Sequence, residues 1–117
     1  MKKIYYLSSC TTCKRILDEL RPPASYVWQD IKEEPVTAEQ LEELRKRAGS
    51  YEALFSKRAR LFRERGLDKK DIDEAGYKKL LLDHYTFLKR PVILSDDNVF
   101  IGNSPKTVSA AKATIHS

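Results

Sequence analysis

The chain has 117 residues, of which 41% are hydrophobic and 33% charged, and its formal net charge is +5. This length predicts one domain, 1–117, and the composition excludes a disordered chain. No apolar run is long enough to span a bilayer, and residues 1–3 lead into a short strand without the apolar region of a signal peptide. We therefore expect a cytoplasmic protein that does not associate with membranes.

The first thirty residues predict two strands joined by a helix. Residues 3–7 are apolar at consecutive positions, which is typical of a strand buried on both faces. A helix is predicted over residues 11–20, because Pro22 and Pro23 then stop it. Residues 25–30 are rich in β-forming side chains and predict a second strand. This order indicates a βαβ unit with parallel strands.

The middle of the chain is predicted to be helical. Thr37 and Gln40 form a capping box at the start of one helix, and Gly49 is predicted to end it. Asp68 is predicted to be the next cap, and a longer helix is predicted from about residue 74 to 85. His84 lies at helical spacing with apolar residues on that helix, so we interpret it as a partly buried core residue rather than a catalytic base.

The densest positive charge lies at residues 57–65. Such a run can bind an anion or a nucleic acid. The alternative, which we favour, is a solvated helical face with Leu61 and Phe62 turned inward. Because the segment lacks the aromatic interleaving that a single-strand binder needs, we expect no direct nucleic-acid binding.

The last third of the chain predicts a hairpin followed by a helix. Residues 92–94 and 99–101 read as two strands joined by a polar turn. Ser104 and Pro105 then open a helix as its N-cap and first residue. The full order, β-α-β, several helices, β-β-α, predicts an α/β fold with a four-stranded mixed sheet flanked by helices.

The two cysteines of the chain, Cys10 and Cys13, lie between the first predicted strand and the first helix. A Cys-x-x-Cys at this place is typical of a thioredoxin-like redox motif. A thiol at a helix N-terminus faces unpaired N–H groups and the positive end of the helix dipole, which stabilise its thiolate. We interpret Cys10 as the attacking thiol and Cys13 as the resolving one.

Two other interpretations of the cysteine pair are less favoured. Both residues can be small buried apolar side chains. A structural zinc site needs four ligands, but there is no second Cys-x-x-Cys, and His84 and His116 are distant in sequence. We therefore expect no metal and no bound cofactor.

Four stretches of the chain, in this order, resemble the arsenate reductase and Spx family. They are Cys10-Thr11-Thr12-Cys13-Lys14, then Leu54-Phe55-Ser56-Lys57-Arg58 leading to Phe62, then Lys89-Arg90-Pro91-Val92-Ile93, and finally Phe100-Ile101-Gly102-Asn103-Ser104. The resemblance covers essentially the whole chain. It implies a thioredoxin-like fold with a helical insertion, roughly residues 36–88, between the second and third strands.

The same resemblance implies the site residues. The catalytic set is Cys10, Cys13 and Arg90, in which Arg90 would stabilise the Cys10 thiolate or an incoming anion. The bond before Pro91 is expected to be cis. The alternative for Arg90 is a cap on the preceding helix. Substrate-binding positions would be Thr11, Thr12, Arg58, Pro91 and Asn103.

Two positions depart from the pattern of glutathione-dependent arsenate reductases. Where those enzymes carry two further oxyanion-binding arginines, this chain has Ser56 and Asn103. Arginine is the side chain best matched to such an anion, so arsenate reduction is expected to be weak. Arg58 would compensate only in part.

The resemblance implies a thiol–disulfide redox protein that reduces an oxidised or oxyanion substrate. Its partner would be a thiol reductant or redox protein, with glutathione, glutaredoxin or thioredoxin as electron donor. The alternative is an Spx-like redox-sensing regulator that binds the C-terminal domain of the RNA polymerase α-subunit. The glycine used in that contact would be Gly49, which is otherwise a plain helix C-cap.

Overall fold

The computed structural model describes all 117 residues, Met1–Ser117. The chain forms two compact units. We call residues 1–34 and 90–117 the sheet unit, and residues 35–89 the helical unit. The helical unit begins and ends within one residue of the predicted insertion, while the assignment of one domain to residues 1–117 stays a prediction.

The sheet unit contains four strands: β1 (Lys2–Tyr6), β2 (Val27–Asp30), β3 (Val92–Ser95) and β4 (Asn98–Ile101). Their order across the sheet is β2-β1-β3-β4. β2 is parallel to β1, whereas β3 is antiparallel to both β1 and β4. The predicted four-stranded mixed sheet is therefore confirmed.

Two helices of this unit, α1 (Thr11–Leu20) and α5 (Pro105–Ile115), share a hydrophobic cluster with the sheet. The bounds of α1 are those predicted, and Ser104 caps α5 by accepting a hydrogen bond from the Thr107 amide. Burial of this cluster supplies the main favourable free energy for packing the helices on the sheet. Its buried members are Ile4, Cys13, Ile16, Leu17, Leu20, Tyr26, Ile93, Ala111 and Ile115.

The start of β3 is adjacent to the end of β1. Tyr5 is paired with Val92 in the antiparallel register, and all four residues of β3 are buried. Because the cysteine motif follows β1 and Pro91 precedes Val92, this register brings the two segments to one edge of the sheet.

The helical unit consists of α2 (Ala38–Ala48), α3 (Arg60–Glu64), α4 (Glu74–Asp83) and three short 3-10 helices. The predicted capping box at the start of α2 is present: Thr37 Oγ1 accepts from the Gln40 amide at 3.1 Å, and Gln40 Oε1 accepts from the Thr37 amide at 3.1 Å. Gly49 ends α2 with a φ of +99°, a conformation that glycine adopts without steric cost. Its role as a helix C-cap is thus confirmed.

The predicted cap at Asp68 is wrong. Asp68 lies inside a 3-10 helix, Leu67–Lys69, and α4 is capped by Asp73, whose carboxylate accepts from the Gly76 amide at 2.8 Å. α4 ends at Asp83 instead of residue 85. Partly buried His84 follows, and its Nδ1 accepts from the Thr86 amide at 3.0 Å, which starts the 3-10 helix Tyr85–Phe87.

Phe55 is the centre of an aromatic cluster in the helical unit. Its ring centroid lies 5.6 Å from that of Phe62, 4.9 Å from that of Tyr77 and 5.1 Å from that of Phe87. Phe62 anchors α3, while Arg60 and Arg63 are exposed. This arrangement agrees with the interpretation of the basic segment as a solvated helical face.

No helix combines the length and the apolar character needed to cross a membrane.

Candidate functional site

The cysteine motif begins with a tight turn between β1 and α1. The Cys10 amide donates to the Leu7 carbonyl at 3.0 Å, so residues 7–10 form the turn, and Ser8 and Ser9 are exposed at its centre. The first hydrogen bond of α1 joins the Lys14 amide to the Cys10 carbonyl at 3.0 Å. Cys10 therefore occupies the boundary between turn and helix.

Cys10 is the N-cap residue of α1, with an extended backbone and a partly buried side chain that makes no capping hydrogen bond. Helices usually place a serine, threonine, aspartate or asparagine oxygen here to accept from the N–H groups of the first turn. A cysteine offers sulfur instead, and an ionised sulfur is a far better acceptor than a thiol. The Cys10 sulfur thus stands where an N-cap oxygen usually does, at the unpaired N–H groups of the first turn.

Cys13 is the third residue of α1 and is fully buried as a free thiol. Burial raises the pKa of Cys13, and the nearby Cys10 and Asp30 act in the same direction. A backbone hydrogen bond from Leu7 and the positive charge of Arg90 oppose this rise. The net effect is a Cys13 that keeps its proton beyond the pH at which a free cysteine ionises.

Arg90 and Pro91 precede β3, and the peptide bond between them is cis, as predicted. Arg90 is partly buried and lies close enough to Cys13 for its charge to lower the pKa of that thiol. The alternative role of a helix cap is not supported, because α4 ends at Asp83 and the following 3-10 helix ends at Phe87. The structure thus brings Arg90 to the cysteine motif.

Three further predicted residues lie in the sheet unit. Thr11 and Thr12 are the first two residues of α1, exposed and partly buried respectively, and they separate the two cysteines. Asn103 is exposed in the loop between β4 and α5. The Gly102 amide donates to the Pro91 carbonyl at 3.0 Å, so the loop that carries Asn103 is attached to Pro91.

Arg58 and Ser56 belong to the helical unit. They lie in the segment between the 3-10 helix Glu52–Leu54 and α3, where Arg58 is exposed. The Ser56 amide donates to the Phe87 carbonyl at 2.7 Å, which fixes the start of this segment.

Sequence reasoning missed Asp30 and Ser8. Asp30 is the last residue of β2, and its carboxylate accepts from Ser8 Oγ at 2.5 Å. This hydrogen bond is the main cause that lowers the pKa of Asp30. The available signal was that β1 and β2 are parallel, so that a carboxylate at the end of β2 lies at the sheet edge from which the cysteine turn departs.

The chain holds no group of three or more histidine, cysteine, aspartate or glutamate side chains that could bind a metal ion.

A family model described as the ArsC family matches residues 5–111. No curated protein matches the chain. Among solved structures, a protein named YffB is similar over 95% of this chain and 98% of its own, at 26% identity and a TM-score of 0.76. An arsenate reductase related protein from Brucella melitensis is similar over 93% and 92%, at 27% identity and a TM-score of 0.70.

An arsenate reductase from Vibrio cholerae shares the fold over 94% of this chain and 96% of its own, with a TM-score of 0.77. Its 18% identity supports the fold alone. Together these matches confirm the predicted α/β, thioredoxin-like architecture.

Proposed function

Because the chain belongs to the ArsC family, we propose that it is a thiol–disulfide redox protein in which Cys10 attacks an oxidised substrate and Cys13 resolves the intermediate. One observation carries this proposal. The two thiols lie in a single helical turn but in opposite environments, Cys10 partly exposed at the N-cap and Cys13 fully buried behind it.

The first step would be attack by the Cys10 thiolate on one sulfur of a substrate disulfide. The substrate S–S bond breaks, and one of its sulfurs leaves as a thiolate that takes a proton from solvent. The other sulfur becomes bonded to Cys10 as a mixed disulfide. Partial exposure of Cys10 makes this approach possible, while the buried Cys13 is shielded from it.

In the second step Cys13 loses its proton to solvent and its sulfur attacks Cys10 Sγ. This releases the second substrate thiolate and leaves a Cys10–Cys13 disulfide, so two electrons pass from the protein to the substrate. A thiol donor such as glutathione, glutaredoxin or thioredoxin then reduces the protein. The Arg90 guanidinium, charged at every relevant pH, favours the Cys13 thiolate at the moment of attack.

The substrate would lie against the exposed edge of the cysteine motif. Thr11 and Thr12 follow Cys10 there. The hydrogen bond from the Gly102 amide to the Pro91 carbonyl attaches the Asn103 loop to Pro91 and supports a binding role for Asn103 and Pro91. The family resemblance alone supports a binding role for Arg58. Oxyanions would bind weakly, since Ser56 and Asn103 replace arginines.

A turnover assay tests this function. The purified protein should accelerate the reduction of a small mixed disulfide by glutathione above the rate with glutathione alone. Cys10→Ser should abolish turnover, and Cys13→Ser should stall as a covalent adduct on Cys10, visible by mass spectrometry. Turnover that survives Cys10→Ser would contradict the proposal.

A redox-sensing regulator that binds the RNA polymerase α-subunit is the second candidate, located like the first in the cytoplasm. The absence of the two arginines at Ser56 and Asn103 favours it over an arsenate-reducing enzyme, because a switch needs the thiol pair but no oxyanion site. Pull-down with the C-terminal domain of the α-subunit, in both redox states, tests this candidate.

A further inference from the structure

The Asp30 carboxylate joins the end of β2 to the cysteine turn. Asp30 is paired with Tyr6, the last residue of β1, in the parallel register. Its oxygens accept from Ser8 Oγ at 2.5 Å, from the Ser8 amide at 3.4 Å and from the Lys32 amide at 3.2 Å. Ser8 and Asp30 are 22 residues apart, so these bonds fix the turn to a neighbouring strand.

Ser8 directly follows the residue whose backbone contacts both cysteines. The Leu7 carbonyl accepts from the Cys10 amide at 3.0 Å, and the Leu7 backbone hydrogen-bonds Cys13. A shift of the turn at Ser8 would therefore move the backbone that orients Cys10 and Cys13 relative to each other.

We propose that Asp30 is a positioning residue of the redox site: through Ser8 it holds residues 7–10 in the geometry in which Cys10 and Cys13 close their disulfide. Asp30 holds the turn through Ser8, and this role is separate from the effect of its charge, which raises the pKa of Cys13. Closing a disulfide costs the conformational freedom of the segment that it joins, and a turn that is already fixed has less freedom to lose. This inference rests on the proposed thiol–disulfide function.

The charge of Asp30 makes the attachment strong. Hydrogen bonds to an ionised acceptor are about twice as strong as those between neutral groups. The Ser8 hydroxyl and the Ser8 and Lys32 amides lower the pKa of Asp30, so the carboxylate remains ionised near neutral pH. The charge of Asp30 also acts on Cys13, together with two other groups. Cys10 and Asp30 favour the protonated form of Cys13, and Arg90 favours its thiolate.

The alternative is that the bond between Ser8 and Asp30 only stabilises the fold. The equilibrium constant for the Cys10–Cys13 disulfide in a glutathione redox buffer separates the two roles, because a purely structural bond leaves it unchanged. Asp30→Ala and Ser8→Ala should each lower this equilibrium constant about fivefold, because each removes the hydrogen bond from Ser8 Oγ to the Asp30 carboxylate. The double variant should fall no further, because both changes break one bond.

Two more variants complete the design. Asp30→Asn keeps an oxygen that can accept from Ser8 Oγ and from the Lys32 amide. The equilibrium constant of the disulfide in this variant should therefore stay within about twofold of the wild-type value. Asp73→Ala is the matched control, because it removes a carboxylate that caps α4 through the Gly76 amide at 2.8 Å. It should lower the free energy of unfolding without changing the disulfide equilibrium.

The inference is overturned if Ser8→Ala leaves the constant within about twofold of wild type, or if the effects of the two alanine variants add fully. Should Asp30→Ala fail to fold, Ser8→Ala and Asp30→Asn decide the question alone. A wild-type protein that forms no Cys10–Cys13 disulfide overturns the proposed function as well. If the wild-type protein forms the disulfide but the Ser8 and Asp30 variants leave its equilibrium constant unchanged, only this inference is overturned.

Discussion

Cys10 and Cys13 are three residues apart on one helix, yet Cys10 is partly exposed at the N-cap and Cys13 is completely buried. The difference arises because α1 packs the face that carries Cys13, Ile16 and Leu17 into the hydrophobic cluster, while Cys10 precedes the helix as its N-cap residue. The structure therefore places two identical side chains in different environments.

The order of thiol reactivity follows from this difference. With iodoacetamide at neutral pH, Cys10 should be alkylated well before Cys13, because burial shields Cys13 and raises its pKa. Peptide mapping after timed quenching measures both rates. Faster modification of Cys13 would reverse the assigned roles.

Arg90→Ala should raise the pKa of Cys13 further, since the guanidinium charge lowers it in the native protein. The measurement is the pH dependence of Cys13 alkylation in a Cys10→Ser background. Arg90→Lys keeps a positive charge and should retain part of the effect. Arg63→Ala, an exposed change on α3, is the control and should leave the profile unaltered. An identical profile for Arg90→Ala would remove Arg90 from the site.

Arsenate reduction should be weak or absent. Each charge-assisted contact to an oxyanion contributes about 1.5–3 kcal/mol, and Ser56 and Asn103 supply neither of the two arginines expected there. Glutathione-dependent turnover of arsenate by the purified protein checks this. A rate comparable with that of the Vibrio cholerae arsenate reductase in the same assay would contradict it.

Glu42 should make the stability of the helical unit depend on pH. Hydrogen bonds from Arg45 and then from Tyr51, whose hydroxyl donates to Glu42 Oε2 at 2.5 Å, lower the pKa of Glu42 from 4.5 to about 2. Because the folded-state pKa is depressed, this stabilisation is present above pH 4.5 and is lost as the pH falls towards 2.

The measurement is urea unfolding of wild type and Glu42→Gln at a series of pH values. The free energy of unfolding of the wild-type protein should exceed that of Glu42→Gln above pH 4.5, and this difference should disappear as the pH falls towards 2. A difference between the two that is constant from neutral pH down to pH 2 would show that Glu42 does not carry the effect.

Local sequence signals predicted much of the fold. The bounds of α1 and the caps of α2 and α5 depend on neighbouring residues, such as Thr37 with Gln40 and the Ser104-Pro105 pair, and the structure has them as predicted. The Asp68 cap was wrong because residues 66–73 contain three aspartates and the local pattern does not select among them. In the structure Asp73 caps α4, and Asp68 lies in a separate 3-10 helix next to buried Leu67.

The cysteine motif and the cis bond before Pro91 were predicted from motif and resemblance, whereas the contact between Asp30 and Ser8 was not. Asp30 reads in sequence as the polar end of a strand, and its partner lies 22 residues away. Such a contact depends on strand register, which the sequence pattern of β2 alone does not specify.

The central claim is that Cys10 and Cys13 form a reversible intramolecular disulfide. The most direct measurement is mass spectrometry of the protein after mild oxidation, with peptide mapping, followed by reduction with a thiol. The account predicts a monomer lighter by two hydrogen atoms, a Cys10–Cys13 cross-linked peptide, and full recovery of both thiols. An oxidised protein that contains only intermolecular disulfides, or a Cys10 sulfinic acid with Cys13 still free, would contradict it.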